Sequence, residues 1–148
     1  MNIFAELRKG TETHSPAETR ELASALARKL PPNQTLALHG DLGVGKTTFT
    51  SGLACGLGIK EPVTSPTFTL YSIYHGPHGS LIHLDAYRLS ENDPLEELLP
   101  EEYFTTPWLL VVEWPDHVPD WLPEPTHHLY LSIRSQNTHF LKGEFQRL

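Results

Sequence analysis

The sequence predicts an α/β fold, a mixed parallel and antiparallel sheet flanked by helices, in a single domain over residues 1–148. Three observations predict it. Thr35-Leu36-Ala37-Leu38-His39 reads as a short buried strand that leads into a glycine-rich stretch and then a helical pattern. Leu109-Leu110-Val111-Val112 is continuously apolar, as strands buried on both faces are. Two further strand patterns, Phe68–Tyr74 and Leu81–Asp85, flank the turn cluster His75-Gly76-Pro77-His78-Gly79, which makes them an antiparallel pair. At 148 residues the chain has room for one domain, given a prior of about 150 residues each.

The remaining elements follow in order. Ser15, Pro16 and Glu18 form a capping-box start, in which the Ser hydroxyl and the Glu carboxylate each satisfy a backbone N–H. Leu22, Leu26 and Leu30, with Ala23 and Ala27, then repeat at helical spacing until Pro31-Pro32 stop the helix. Phe49, Leu53 and Leu57 mark a second helix over Thr48–Leu57, with Gly58 as its end. Asp93-Pro94 opens a short acidic helix around Leu95–Leu99, and a proline-rich loop runs from Trp114 to Pro125. A last pair of strands is expected near Leu129–Ile133 and Phe140–Phe145. With 13 prolines in all, many connections should be stiff.

Composition narrows the function. A single cysteine, Cys55, excludes an internal disulfide framework and fits a reducing compartment. No apolar run approaches the ~18 residues of a membrane span, and the first residues lack the basic and apolar regions of a secretory signal. The cytoplasm is therefore expected. The net charge of −7 is unevenly spread: Asp85 to Glu124 holds eleven acidic residues and only Arg88 as a base. Such a face repels nucleic acid phosphates. It suits either solubility or a basic protein partner.

The chemistry lies in Gly40-Asp41-Leu42-Gly43-Val44-Gly45-Lys46-Thr47, which matches G-x-x-x-x-G-K-[ST] at every fixed position. Its place between a strand and a helix is the one a P-loop requires. Glycines let the backbone close around an anion, and the helix N-terminus adds positive potential. Lys46 can reach the β- and γ-phosphates and the Thr47 hydroxyl can ligand Mg²⁺. The fold class is thus P-loop NTPase-like. Such a site also needs a carboxylate at a nearby strand end. Asp85 and Glu113 both qualify, either could polarise an attacking water, and spacing alone does not assign the base. Trp114, beside Glu113, divides evenly between packing and a site role, whereas Trp108 reads as core packing. The nine histidines and Cys55 do not repeat at zinc-ligand spacing.

ATP is preferred to GTP, because no Asn-Lys-x-Asp run is present. Only six basic residues follow position 31 and none cluster, which disfavours the arginine-rich lid of a small-molecule kinase. Hydrolysis is the first reading. A nucleotide-gated adaptor without hydrolysis and a small-molecule kinase are the others.

Four runs in order resemble the bacterial TsaE (YjeE) family: Gly40 to Thr48, Thr64-Ser65-Pro66-Thr67-Phe68-Thr69-Leu70, His83-Leu84-Asp85-Ala86-Tyr87-Arg88-Leu89, and Glu113-Trp114-Pro115. The resemblance covers residues 13 to 125. It implies slow, partner-stimulated ATP hydrolysis in tRNA threonylcarbamoyladenosine synthesis. TsaB and TsaD would be the partners, and tRNA would be met only through their complex. By position, Gly43, Val44, Gly45, Lys46, Thr47 and Thr48 would hold the phosphates. Thr47 and Glu113 would bind Mg²⁺, and Asp85 would lie near the γ-phosphate or its water. The resemblance also implies that Thr64–Thr67 senses nucleotide, that Trp114 braces the site and that Glu12-Thr13 borders the adenine. Where the family tends to carry an arginine between the final strands, this chain has Ser135-Gln136-Asn137-Thr138-His139; Arg134 is the nearest substitute.

Overall fold

A computed structural model describes residues 2–41, 43–66 and 69–148. Seven strands form one sheet: β1 (Thr11–Thr13), β2 (Gln34–His39), β3 (Tyr71–Gly76), β4 (Gly79–Asp85), β5 (Trp108–Glu113), β6 (Thr126–Ser135) and β7 (Thr138–Glu144). Their order across the sheet is β1-β7-β6-β2-β5-β4-β3. The four central strands, β6, β2, β5 and β4, run parallel. The flanking pairs β3–β4, β6–β7 and β1–β7 are antiparallel. The mixed sheet expected from the sequence is the one observed.

Helices α1 (Ile3–Lys9), α2 (Pro16–Lys29) and α3 (Lys46–Gly56) contribute to one core, which also takes Leu36 and Leu38 from β2 and Leu109 and Val111 from β5. The other face of β4 and β5 packs Ile82, Leu84, Leu110 and Val112 under the short α4 (Leu95–Leu98) and the 115–122 loop. Apolar residues therefore line both faces of β5, as its unbroken hydrophobic run requires. Among the described residues no helix is long and apolar enough to cross a membrane.

Helix α2 begins at Ser15, whose hydroxyl accepts from the Glu18 N–H at 3.1 Å. The capping box is not reciprocal. Glu18 Oε1 accepts from the His14 N–H, one residue before the cap, at 2.9 Å. α2 lies against α3 where Gly52 and Gly56 let the helices approach: a Cβ at Gly52 would stand 2.4 Å from the Arg20 carbonyl oxygen. This approach seats the P-loop helix closely against α2.

Four elements depart from the pattern. α1 and β1 precede the first helix that periodicity reveals; α1 has only seven residues and one fully buried anchor, Leu7. β3 begins at Tyr71, because Leu70 has a positive φ of 71° and its N–H donates back to the Pro66 carbonyl at 2.7 Å. That turn ends any extended run. The expected strand start, Phe68, lies outside the described residues. β6 starts at Thr126, three residues early, because Thr126 to Tyr130 pair with β2.

Candidate functional site

The site is built at the carboxyl ends of parallel strands, where open α/β sheets place ligands. β2 ends at His39, and the glycine loop follows at once. In the ladder Asp85 pairs with Glu113, and Glu113 with Leu38. The two candidate carboxylates therefore occupy neighbouring strand ends beside the loop. Alternation along the strands puts Asp85 and Glu113 on the α3 side, with Leu81 and Val111 beneath them in the core.

The loop turns into α3 through left-handed backbone. Gly43 has φ 81° and Gly45, the N-cap, has φ 98° and ψ 21°, a region that side chains disfavour. Among the described residues no side chain caps α3, and its first turn carries no acid. The first N–H groups of a helix lack internal partners, so this end is a ready anion site. Val44 turns its side chain into the core, while its N–H faces the Asp41 carbonyl at 3.4 Å. Gly43, Gly45, Lys46, Thr47 and Thr48 line an open cavity of about 330 Å³, which also meets Ser65, Asp85, Glu113 and Trp114. Leu42 and Thr67 lie outside the described residues, so of the expected Thr64–Thr67 sensor Ser65 is the residue seen at the cavity.

Lys46 sits at the centre of this group and is 5% exposed. Its Nζ donates to the Gly40 carbonyl at 2.7 Å, lies 3.9 Å from Glu113 Oε1, and stands 4.2 Å from the Trp114 ring centroid. Burial pushes its pKa below the usual lysine range; the charges of Glu113, Asp85 and Asp41 oppose that shift. The buried ammonium thus gains from any anion brought beside it.

Glu113 is held from behind by His83, whose Nε2 is 2.6 Å from Glu113 Oε2. Sequence reasoning gave His83 no role, although its place two residues before Asp85 on a strand puts both on one face. Asp85 Oδ1 accepts from the Tyr87 N–H at 3.0 Å. Trp114 adopts left-handed backbone, φ 56° and ψ 51°, with its indole between Lys46 and the exposed Tyr87, whose ring is 5.2 Å away edge-on. Trp108 instead packs edge-on against Phe104 at 5.0 Å. Away from this cavity, Arg134 is engaged by Glu12 at 3.1 Å and stacks over Phe140 at 3.7 Å.

A larger cavity, about 550 Å³, lies between Leu30, Pro32, Leu57 and Trp108. It is mostly apolar and away from the glycine loop. Size therefore does not select the site; the converging donors and acids do. The residues present there fit magnesium. Its usual protein ligands are a few oxygens, completed by phosphates and water. Thr47 is exposed and lines the cavity, and Glu113 keeps Oε1 turned toward Lys46 while His83 occupies Oε2. No group of three or more His, Cys, Asp or Glu among the described residues makes a metal cluster by itself.

The family model described as "Threonylcarbamoyl adenosine biosynthesis protein TsaE" matches residues 13–143. The chain belongs to the TsaE family. The Bacillus subtilis protein named tRNA threonylcarbamoyladenosine biosynthesis protein TsaE is 43% identical over 112 residues, covering 76% of this chain and 70% of that one. The Treponema pallidum protein of the same name is 37% identical over 121 residues, covering 82% and 89%. Among solved structures, Bacillus subtilis YdiB matches with a TM-score of 0.73 and 33% identity, over 89% of this chain and 81% of that one. The four runs that resembled TsaE begin and end inside the matched region, and each contributes at least one residue to the cavity.

Proposed function

We propose that this TsaE-family chain binds ATP with Mg²⁺ and hydrolyses it to ADP and phosphate, as an accessory protein of tRNA threonylcarbamoyladenosine modification. One observation carries the reading: an uncapped helix N-terminus and the buried Lys46 ammonium converge on a cavity that also holds two strand-end carboxylates. Preorganised donors of this kind stabilise charge that develops on a transferring phosphoryl group.

In this reading the N–H groups of residues 43 to 48 and Lys46 bind the triphosphate. Thr47 and Glu113 hold the metal, which when bound neutralises phosphate charge. Asp85, adjacent to Glu113 and anchored by the Tyr87 N–H, orients the attacking water near the γ-phosphate. Trp114 packs over Lys46 and shields that corner from solvent, which strengthens the electrostatics inside. The names of the relatives support a tRNA-processing role. From the family resemblance we infer that the partners are TsaB and TsaD, that the ATP cycle resets their complex between turnovers, and that tRNA is met only through it. We assign the chain to the cytoplasm, where the lone Cys55 stays reduced.

Single-turnover phosphate release, measured with the chain alone and with TsaB and TsaD added, tests the proposal. Slow release that accelerates with the partners is expected. Release undetectable in both conditions would reject hydrolysis and leave a nucleotide-gated adaptor. A phosphorylated metabolite would instead reveal a kinase.

A further inference from the structure

His83 is 0% exposed, yet nothing in the proposed chemistry uses it. It stands on β4 opposite Val111, and its ring reaches across to the next inward residue of β5, Glu113. The Nε2–Oε2 separation of 2.6 Å is that of a short charge-assisted hydrogen bond. The other ring nitrogen, Nδ1, is buried and has no hydrogen-bond partner among the described residues.

That asymmetry fixes where the proton sits. A proton on Nε2 makes a donor facing a carboxylate. With the only ring proton on Nδ1, two lone pairs would oppose each other at 2.6 Å and a buried N–H would be stranded, an arrangement that folded proteins avoid. Lys46 cannot do the same work, since 3.9 Å to Oε1 is too long for a hydrogen bond. Glu113 is only 6% exposed, so bulk water does not orient it either.

We propose that His83 is a positioning residue: it ties down Glu113 Oε2 so that Oε1 is the oxygen presented to the magnesium of the ATP complex. This rests on the ATP reading given above. Groups that hold a metal-ligating side chain typically account for about 10–100-fold of metal affinity, and His83 stands in that relation to Glu113.

The test compares His83→Leu, which removes the donor, with His83→Gln, whose amide nitrogen reaches roughly the place of Nε2. Mn²⁺ binding is followed by electron paramagnetic resonance in the presence of a non-hydrolysable ATP analogue. Fluorescent ADP binding in EDTA is the control. His83→Leu should weaken Mn²⁺ at least tenfold with ADP affinity in EDTA unchanged, and His83→Gln should stay within about threefold of wild type. Mn²⁺ affinity unaltered in His83→Leu, or equally poor in both variants while ADP still binds, overturns the inference. Wild-type protein that binds neither nucleotide nor Mn²⁺ overturns the ATP reading instead. Should His83→Leu fail to fold, nitrogen-15 spectra of the wild-type histidines decide: a His83 protonated at Nε2 supports the inference, and one protonated only at Nδ1 refutes it.

Discussion

Replacing His127 with glutamine should remove a steep loss of stability between pH 6.5 and pH 4. His127 is fully buried on β6. Its Nε2 faces Gln34 Oε1 at 2.7 Å, and its Nδ1 accepts from the Gln146 N–H at 3.0 Å. Only the neutral ring with its proton on Nε2 satisfies both, because a second proton on Nδ1 would meet another N–H. Burial, chiefly, and then the neighbouring His128 and Arg8, lower its pKa from the usual 6.5 to about 4. The unfolded chain therefore binds more protons than the folded one between those values, and stability falls as pH falls. The contribution is complete above pH 6.5 and is lost as pH drops to about 4. At ~1.4 kcal/mol per pH unit the whole gap is about 3 kcal/mol, of which about 2 kcal/mol is gone by pH 5. Urea unfolding of wild type and His127→Gln at pH 7 and pH 5 measures it, since the acidic residues are common to both proteins and largely cancel. The stability difference between the two should shrink by about 2 kcal/mol in wild type's disfavour at pH 5. Parallel pH profiles would refute the hydrogen-bonding scheme.

Three further substitutions probe the site and its support. Lys46→Ala should weaken ATP binding about a hundredfold, the worth of two charge-assisted hydrogen bonds at ~1.5 kcal/mol each; calorimetric titration giving wild-type affinity would remove Lys46 from phosphate binding. Asp85→Asn should lower partner-stimulated phosphate release at least tenfold, in line with the ~10²–10⁴-fold typical of a general base, with ADP affinity within about threefold; normal turnover would exclude Asp85 as the water-orienting group. Gly52→Ala should destabilise the fold by about 1–3 kcal/mol through overpacking against α2, despite alanine's advantage of about 1 kcal/mol in an isolated helix. Chemical unfolding that shows equal or greater stability would mean the helices can separate without cost.

The glycine loop and its helix were legible because both obey fixed spacing, and the structure puts them where that spacing requires. Asp85 and Glu113 were legible as strand ends, though only the ladder shows that they are partners. Two kinds of feature were hidden. α1 is too short for a periodic signal, and Leu70 interrupts an aromatic and β-branched run by a backbone turn that residue type does not announce. His83 was hidden for another reason. A lone histidine in a strand gives no chemical signal until its neighbour across the sheet is known, and that neighbour, Glu113, lies 30 residues on. Trp114, evenly divided on sequence, stands in both places: it packs against the cluster around Val112 and its ring lies over Lys46 at the cavity.

A crystal structure with Mg²⁺ and a non-hydrolysable ATP analogue tests the central claim most directly. The triphosphate should lie within hydrogen-bond distance of the backbone N–H groups of residues 43 to 48 and of Lys46 Nζ, with the metal bonded to the Thr47 hydroxyl. Nucleotide bound elsewhere, or a glycine loop that admits no phosphate at saturating ligand, would contradict the account.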